Sequence, residues 1–156
     1  MGELILRGET IMKRYWNRLE ATAETMRGGW LHTGDLAVLD ADGYITLVDR
    51  LKDMIITGGR NVYSIEVEQA LAGHPDLLDV AVIGLPHPDY GESILAVVVP
   101  ANGAEPTLES LRAWARDRIA DYKAPHAVVV HAIPRNPSGK IQKHLLRAEL
   151  GVLRPV

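Results

Sequence analysis

The sequence predicts two unequal parts: a short β-rich segment, then a larger domain of the α+β or α/β class. Three observations predict it. Up to residue 50, short apolar runs are broken by turn residues and only one weak helical stretch intervenes. At Leu51 the composition changes, and glycine turns and helix-period stretches begin. Beyond it, valine-rich runs of strand length alternate with segments whose apolar residues recur every three or four positions.

The elements follow in order. "ELILRG" is a short strand ended by Gly8, and "NRLEATAETM" a short helix with a thin apolar face. "DLAVLDADGYITLVDR" is a pair of strands around Asp42-Gly43, where Gly43 supplies the positive φ of a hairpin turn. "MIITGGRNVYS" reads as strand, glycine turn, strand. "SIEVEQALAG" is a helix with Val67, Ala70 and Leu71 on one face, Ser64 capping or opening it, and Gly73 with Pro75 ending it. "LLDVAVIGLP" and "SILAVVVP" are strands stopped by their prolines. "TLESLRAWARDRIADY" is the clearest helix, N-capped by Thr107, with Leu108, Leu111, Ala115, Ile119 and Tyr122 on one stripe. "AVVVHAI" is a buried strand, and "KIQKHLLRAEL" a last helix with Ile141, Leu145 and Ala148 in phase. The second part, of about 100 residues, suffices for a core of its own; the first is short for that, and its strands read as the edge of something larger.

Composition narrows the function. Of 156 residues, 47% are hydrophobic and 24% charged, which is globular, and the formal net charge of −3 gives no basic footprint for nucleic acid or an anionic membrane. No apolar run reaches the roughly 18 residues of a membrane span. The start, "MGELILRGE", has charges at Glu3 and Arg7 and is not a secretory leader. The absence of cysteine excludes disulfides, thiolate metal sites and a cysteine nucleophile. The six histidines lack metal-ligand spacing, so no metal site is expected, and a cytoplasmic home is compatible with all of this.

Three stretches carry chemistry in combination. In "GWLHTGD", Asp35 follows a glycine, and its carboxylate suits the two donors of a ribose diol; an ordinary turn is the plainer reading. In "DRLKDMIITGGRNVYSIEVE", Arg50 and Lys52 flank the composition change, and Gly58-Gly59 lets backbone approach a ligand; the plainer reading is a hairpin behind a solvated charge run. In "PRNPSGK", Pro134 and Pro137 restrict the loop, and Ser138 with Gly139 permits a tight turn presenting Lys140. A lysine so held can answer the negative charge of a phosphoryl centre under attack, although a capped turn before a helix has the same look.

These stretches, with "GELILRG", "MKRYWNRLEATAETM", "HPDLLDVAVIGLPHPDYGE" and "YKAP", span nearly the whole chain in one order. The sequence resembles the C-terminal portion of AMP-forming acyl-CoA synthetases, in the adenylate-forming superfamily. "KDMIITGGRNVY" is most similar to the fatty-acid and aromatic ligases. The resemblance implies an α+β fold. Residues 1–50 would be an incomplete, β-rich end of the large N-terminal domain. Residues 51–156 would be the mobile C-terminal lid, a short mixed or antiparallel sheet flanked by helices, with the hinge near 50–52. It implies a ligase that converts a carboxylic acid, ATP and CoA to acyl-CoA, AMP and diphosphate through an acyl-adenylate, with a rotation of the lid between the two steps. Carried over, Lys140 is the catalytic lysine, Asp35 and Arg50 serve the ATP ribose or phosphate, and Lys52 is the hinge. Gly58, Gly59, Arg60 and Asn61 line the CoA path.

Two departures stand outside that chemistry: Arg14 replaces a common glycine, and Ser64 a common proline. A third is larger, since the Ser/Thr/Gly-rich phosphate loop and the acyl pocket have no counterpart here. Magnesium would then enter through the missing N-terminal part, and the chain alone is expected to be inactive. Its partners would be that domain, the nucleotides, CoA and the acid, with self-association through the strands of residues 1–50. The alternative is a standalone, non-catalytic lid-like module that binds a partner protein or nucleotide.

Overall fold

Residues 1–151 are described by the computed structural model, in which the chain divides into two compact units, Met1–Lys52 and Asp53–Val156. The first contains strand β1 (Gly2–Leu6), helix α1 (Leu19–Thr25), β2 (Leu31–Leu39) and β3 (Ile45–Arg50), with the strands in one antiparallel sheet ordered β1-β2-β3. The β2–β3 turn forms because Asp40 Oδ1 accepts the amides of Asp42 and Tyr44 while Gly43 takes φ 89°. Among the described residues of this unit only Leu36 and Ala37 are buried.

The second unit runs β4 (Ile55–Thr57), β5 (Arg60–Val62), α2 (Ser64–Leu71), β6 (Leu77–His87), β7 (Gly91–Pro100), α3 (Leu108–Ala115), β8 (Ala127–Val130) and α4 (Lys143–Leu150). The five strands make one sheet ordered β5-β4-β7-β6, with β8 parallel to β7 and every other pair antiparallel. The valine runs are continuous because both faces of the sheet are covered. On one face Val82, Ile94, Ala96 and Val98 pack with Val67 and Leu71 of α2 and Leu111 and Ala115 of α3. On the other, Ala81, Ile83, Leu85, Leu95 and Val97 pack with Leu146 and Leu150 of α4. Each fully buried Val, Leu or Ile contributes about 1.5–3 kcal/mol, so this double-sided core carries the unit. The architecture is α+β, as expected.

The elements differ from expectation in three places. β6 runs through Pro86, which pairs with Glu92, because an edge strand tolerates a residue without an N–H. α3 keeps its Thr107 cap, as a capping box with Ser110, but ends at Ala115. There Arg118 Nη1 takes the Trp114 carbonyl and its guanidinium lies 3.9 Å from the indole, so the chain turns away, and Tyr122 falls in a separate tight turn, Asp121–Lys123. Of the two readings for Ser64, it opens α2: it is the first helical residue, Tyr63 holds the cap position, and the Ser64 hydroxyl accepts from Lys143 Nζ. Ile141 stands outside α4, bridged to Arg135. No described helix is long and apolar enough to cross a membrane.

Candidate functional site

Lys140 lies in the loop between Arg135 and Ile141, whose backbone bridge closes the loop at its base. Asn136 organises the interior. Its Oδ1 accepts from the Ser138 amide (3.1 Å), the Ser138 hydroxyl (2.8 Å) and the Lys140 amide (2.9 Å). Its own amide donates to the Lys140 carbonyl at 2.9 Å, and its carbonyl accepts from Gly139, which takes φ 81°. Three residues on, Lys143 Nζ reaches Ser64 Oγ and Glu68 Oε1, both at 2.7 Å, and the same carboxylate oxygen accepts the Val82 amide. These groups are nearly buried, so the downstream end of the loop is anchored to α2 and β6. Lys140 itself is exposed, and among the described residues its ammonium has no hydrogen-bond or ion-pair partner. The arrangement is a stiff backbone presenting a free cation.

In the first unit, Asp35 and Arg50 stand opposite each other across β2 and β3, with Arg50 Nε 3.1 Å from Asp35 Oδ1. The backbone before Asp35 is fixed from β1. Gly34, at φ 71°, donates to Glu3 Oε1, while Thr33 Oγ1 donates to the Leu4 carbonyl and accepts the Asp35 amide. Glu3 Oε2 lies 2.7 Å from His32 Nδ1, and that hydrogen bond holds the Glu3 carboxyl below its usual range. The Asp35–Arg50 pair remains accessible to solvent, where such a pair is worth only about 0–1 kcal/mol. Lys52 is exposed in the tight turn Leu51–Asp53, where the two units meet in sequence. Asp53, the first residue of the second unit, pairs with Arg147 of α4 at 2.9 Å.

The third stretch forms a tight hairpin. Gly58 (φ 55°) and Gly59 (φ 73°) join β4 to β5, a conformation that glycine adopts freely. Gly58 and Arg60 line an open cavity of about 540 Å³ together with His87, Arg112, Tyr122 and His126. The Arg60 guanidinium lies 4.7 Å from the Tyr122 ring centre. Burial, and then the charges of Arg112 and His87, hold His126 below the ordinary histidine range. Two arginines beside an aromatic ring suit a phosphorylated, planar ligand. Gly59 and Asn61 do not line this cavity, and neither does Lys140.

The structure thus brings Asp35 to Arg50 and Gly58 to Arg60, while Lys140 stands on a separate loop. Sequence reasoning overlooked Asn136, although an asparagine followed by Pro-Ser-Gly is a recognisable side-chain-to-backbone turn. It also overlooked Glu3, which acts on Gly34 from 31 residues away, and the cavity residues Arg112, Tyr122 and His126, which only tertiary folding collects.

Residues 66–140 match the family described as AMP-binding enzyme C-terminal domain. A feruloyl-CoA synthase from Amycolatopsis sp is 50% identical over 151 residues, covering 96% of this chain and 31% of the relative. The long-chain-fatty-acid–CoA ligase FadD13 of Mycobacterium tuberculosis is 44% identical, over 99% of this chain and 31% of that protein. Among solved structures, the amide bond synthetase McbA from Marinactinospora thermotolerans superposes with TM-score 0.80 at 45% identity, over 95% of this chain and 31% of its own. ATP-bound MatB from Rhodopseudomonas palustris gives 0.89 at 36%, over 99% and 31%. The chain therefore spans about a third of the length of the relatives it matches.

Proposed function

We propose, from the match of residues 66–140 to the family described as AMP-binding enzyme C-terminal domain, that this chain is the lid part of an ATP-dependent acyl-CoA ligase. The acid would be a medium- or long-chain fatty acid or an aromatic acid. A rigid, Asn136-centred turn holding out an unpaired lysine ammonium is the observation that supports this best.

In the first half-reaction a carboxylate oxygen of the substrate attacks the α-phosphorus of ATP, and the bond to diphosphate breaks. Lys140 would bridge the carboxylate and the α-phosphate, offsetting charge that builds on both. Asp35 would accept the two ribose hydroxyls. Arg50 would orient that carboxylate through Nε and serve the ribose or phosphate. Magnesium would arrive with ATP through the N-terminal part of the ligase. In the second half-reaction the thiol sulfur of CoA attacks the acyl carbonyl, its proton is lost, and AMP leaves. Gly58, Gly59, Arg60 and Asn61 would border the pantetheine arm, and Arg60 with Arg112 would take the phosphates at its nucleotide end. Lys52 would be the pivot that exchanges one face of the lid for the other. The chain alone would make no acyl-CoA.

The test is a chimera in which this chain replaces its aligned segment of the Amycolatopsis feruloyl-CoA synthase. Lys140→Ala should lower adenylation by about 10²–10³-fold. Thioester formation from supplied acyl-adenylate should stay within a few fold of the parent. Equal loss of both half-reactions would sink the assignment of Lys140.

A further inference from the structure

The peptide group that joins Gly139 to Lys140 is held at both polar ends. Its N–H donates to Asn136 Oδ1 at 2.9 Å, and its carbonyl oxygen accepts from Arg135 Nη1 at 2.8 Å. The second arm of the same guanidinium, Nη2, donates to both oxygens of Asp79, at 2.9 and 2.7 Å. Asp79 sits on β6 at a shift in register against β7, and its Oδ1 also accepts the Val80 amide at 2.9 Å. One side chain therefore ties the sheet to the peptide plane from which Lys140 departs.

That bridge matters because of the residue it acts on. Gly139 has φ 81° and open space where a Cβ would be, so its own backbone gives the loop its weakest restraint. Rotation about the Gly139 backbone would tilt the following peptide and carry the ammonium, four methylenes away, off line. We propose that Arg135, oriented by Asp79, is a positioning residue that aims Lys140 for adenylation. The proposal rests on the reading of Lys140 given above. Arg135 does not itself meet the reacting atoms, and Asp79 neutralises its charge. A guanidinium is required because its planar fork serves two acceptors in different directions, whereas an ammonium is a single point of charge.

Two measurements on the substitutions Arg135→Lys and Asp79→Asn test this. In the chain itself, hydrogen exchange at the Lys140 amide should quicken by about tenfold, while the amides of Val82 and Ile83 in the core keep their rates. An unchanged Lys140 rate would overturn the proposal. In the chimera, Arg135→Lys should lower the adenylation kcat by roughly ten- to a hundredfold, with little change in the KM for the acid. Thioester formation from supplied acyl-adenylate should be unaltered. Adenylation at the parent rate, or equal loss of both steps, would overturn the proposal. The failures are separable. Full adenylation by Lys140→Ala would remove the parent reading and this proposal with it. Loss with Lys140→Ala but not with Arg135→Lys would remove this proposal alone.

Discussion

At the scale of single residues, the strongest constraints are polar atoms with one available partner. Gly84 is an example inside the core. A Cβ there would lie 2.7 Å from Glu92 Oε1 and 3.2 Å from Ile55 Cγ2. The carboxylate cannot swing aside freely, because its other oxygen accepts the Ile56 amide at 2.6 Å. Gly84→Ala should therefore destabilise the chain by about 1–3 kcal/mol, read from urea unfolding. His131 is constrained differently. Its Nδ1 faces the Ala132 carbonyl at 2.7 Å and its Nε2 faces Glu149 at 3.1 Å. Both partners are acceptors, so the ring satisfies both only when protonated. The carbonyl first, and then Glu149, hold its pKa above the ordinary 6.5. A raised folded-state pKa contributes stability that is fully present below the ordinary value and fades as pH rises through the raised one. As pH rises above the ordinary value and through the raised one, the thermal midpoint of the parent should fall towards that of His131→Gln. A constant gap between the two would refute the linkage.

At the scale of elements, the strongly periodic segments were legible and their ends were not. The Asp42-Gly43 and Gly58-Gly59 turns were readable because a positive φ is written in the residue type. The valine runs of β6 and β7 were readable because a sheet covered on both faces leaves no polar alternation. The end of α3 was not, since it depends on where the Arg118 side chain lands. The start of α4 was hidden for a related reason. Its first residue, Lys143, is an ordinary charged residue in the sequence, yet it lies nearly buried between Ser64 and Glu68, residues 79 and 75 positions away. Removing the lysine takes the counter-charge from a nearly buried carboxylate, a costly loss even though Glu68 keeps the Val82 amide. Lys143→Ala should cost about 3–5 kcal/mol, whereas Lys143→Met with Glu68→Gln should recover much of it. Equal melting temperatures for parent and Lys143→Ala would show that the pair anchors nothing.

At the scale of the whole molecule, the two units differ in how much they bury. The second encloses its sheet between helices on both faces, while the first leaves Leu39, Tyr44, Ile45 and Leu47 more than half exposed around one hairpin. Both β1 and β3 are edges of a three-stranded sheet. The candidate residues divide in the same way. Lys140, Arg60 and Gly58 belong to the well-packed unit, Asp35 and Arg50 to the open one. This is why single residues could be singled out from motifs while the cavity around Arg60 could not: motifs are local, and the cavity draws on five separate stretches of chain. The open unit also leads to a physical expectation. An apolar strip beside an unpaired strand is a template for another copy, so the chain should self-associate as its concentration rises. Light scattering should show the average mass climbing above that of one chain. A lysine on the edge strand, Leu47→Lys, should suppress the climb, because a charge cannot be buried there without a partner. Leu146→Ala makes the contrast, since it weakens the core of the other unit and exposes nothing on the hairpin. A parent that stays monomeric at high concentration, or a Leu47→Lys variant that associates as strongly as the parent, would show that the exposed hairpin does not drive association.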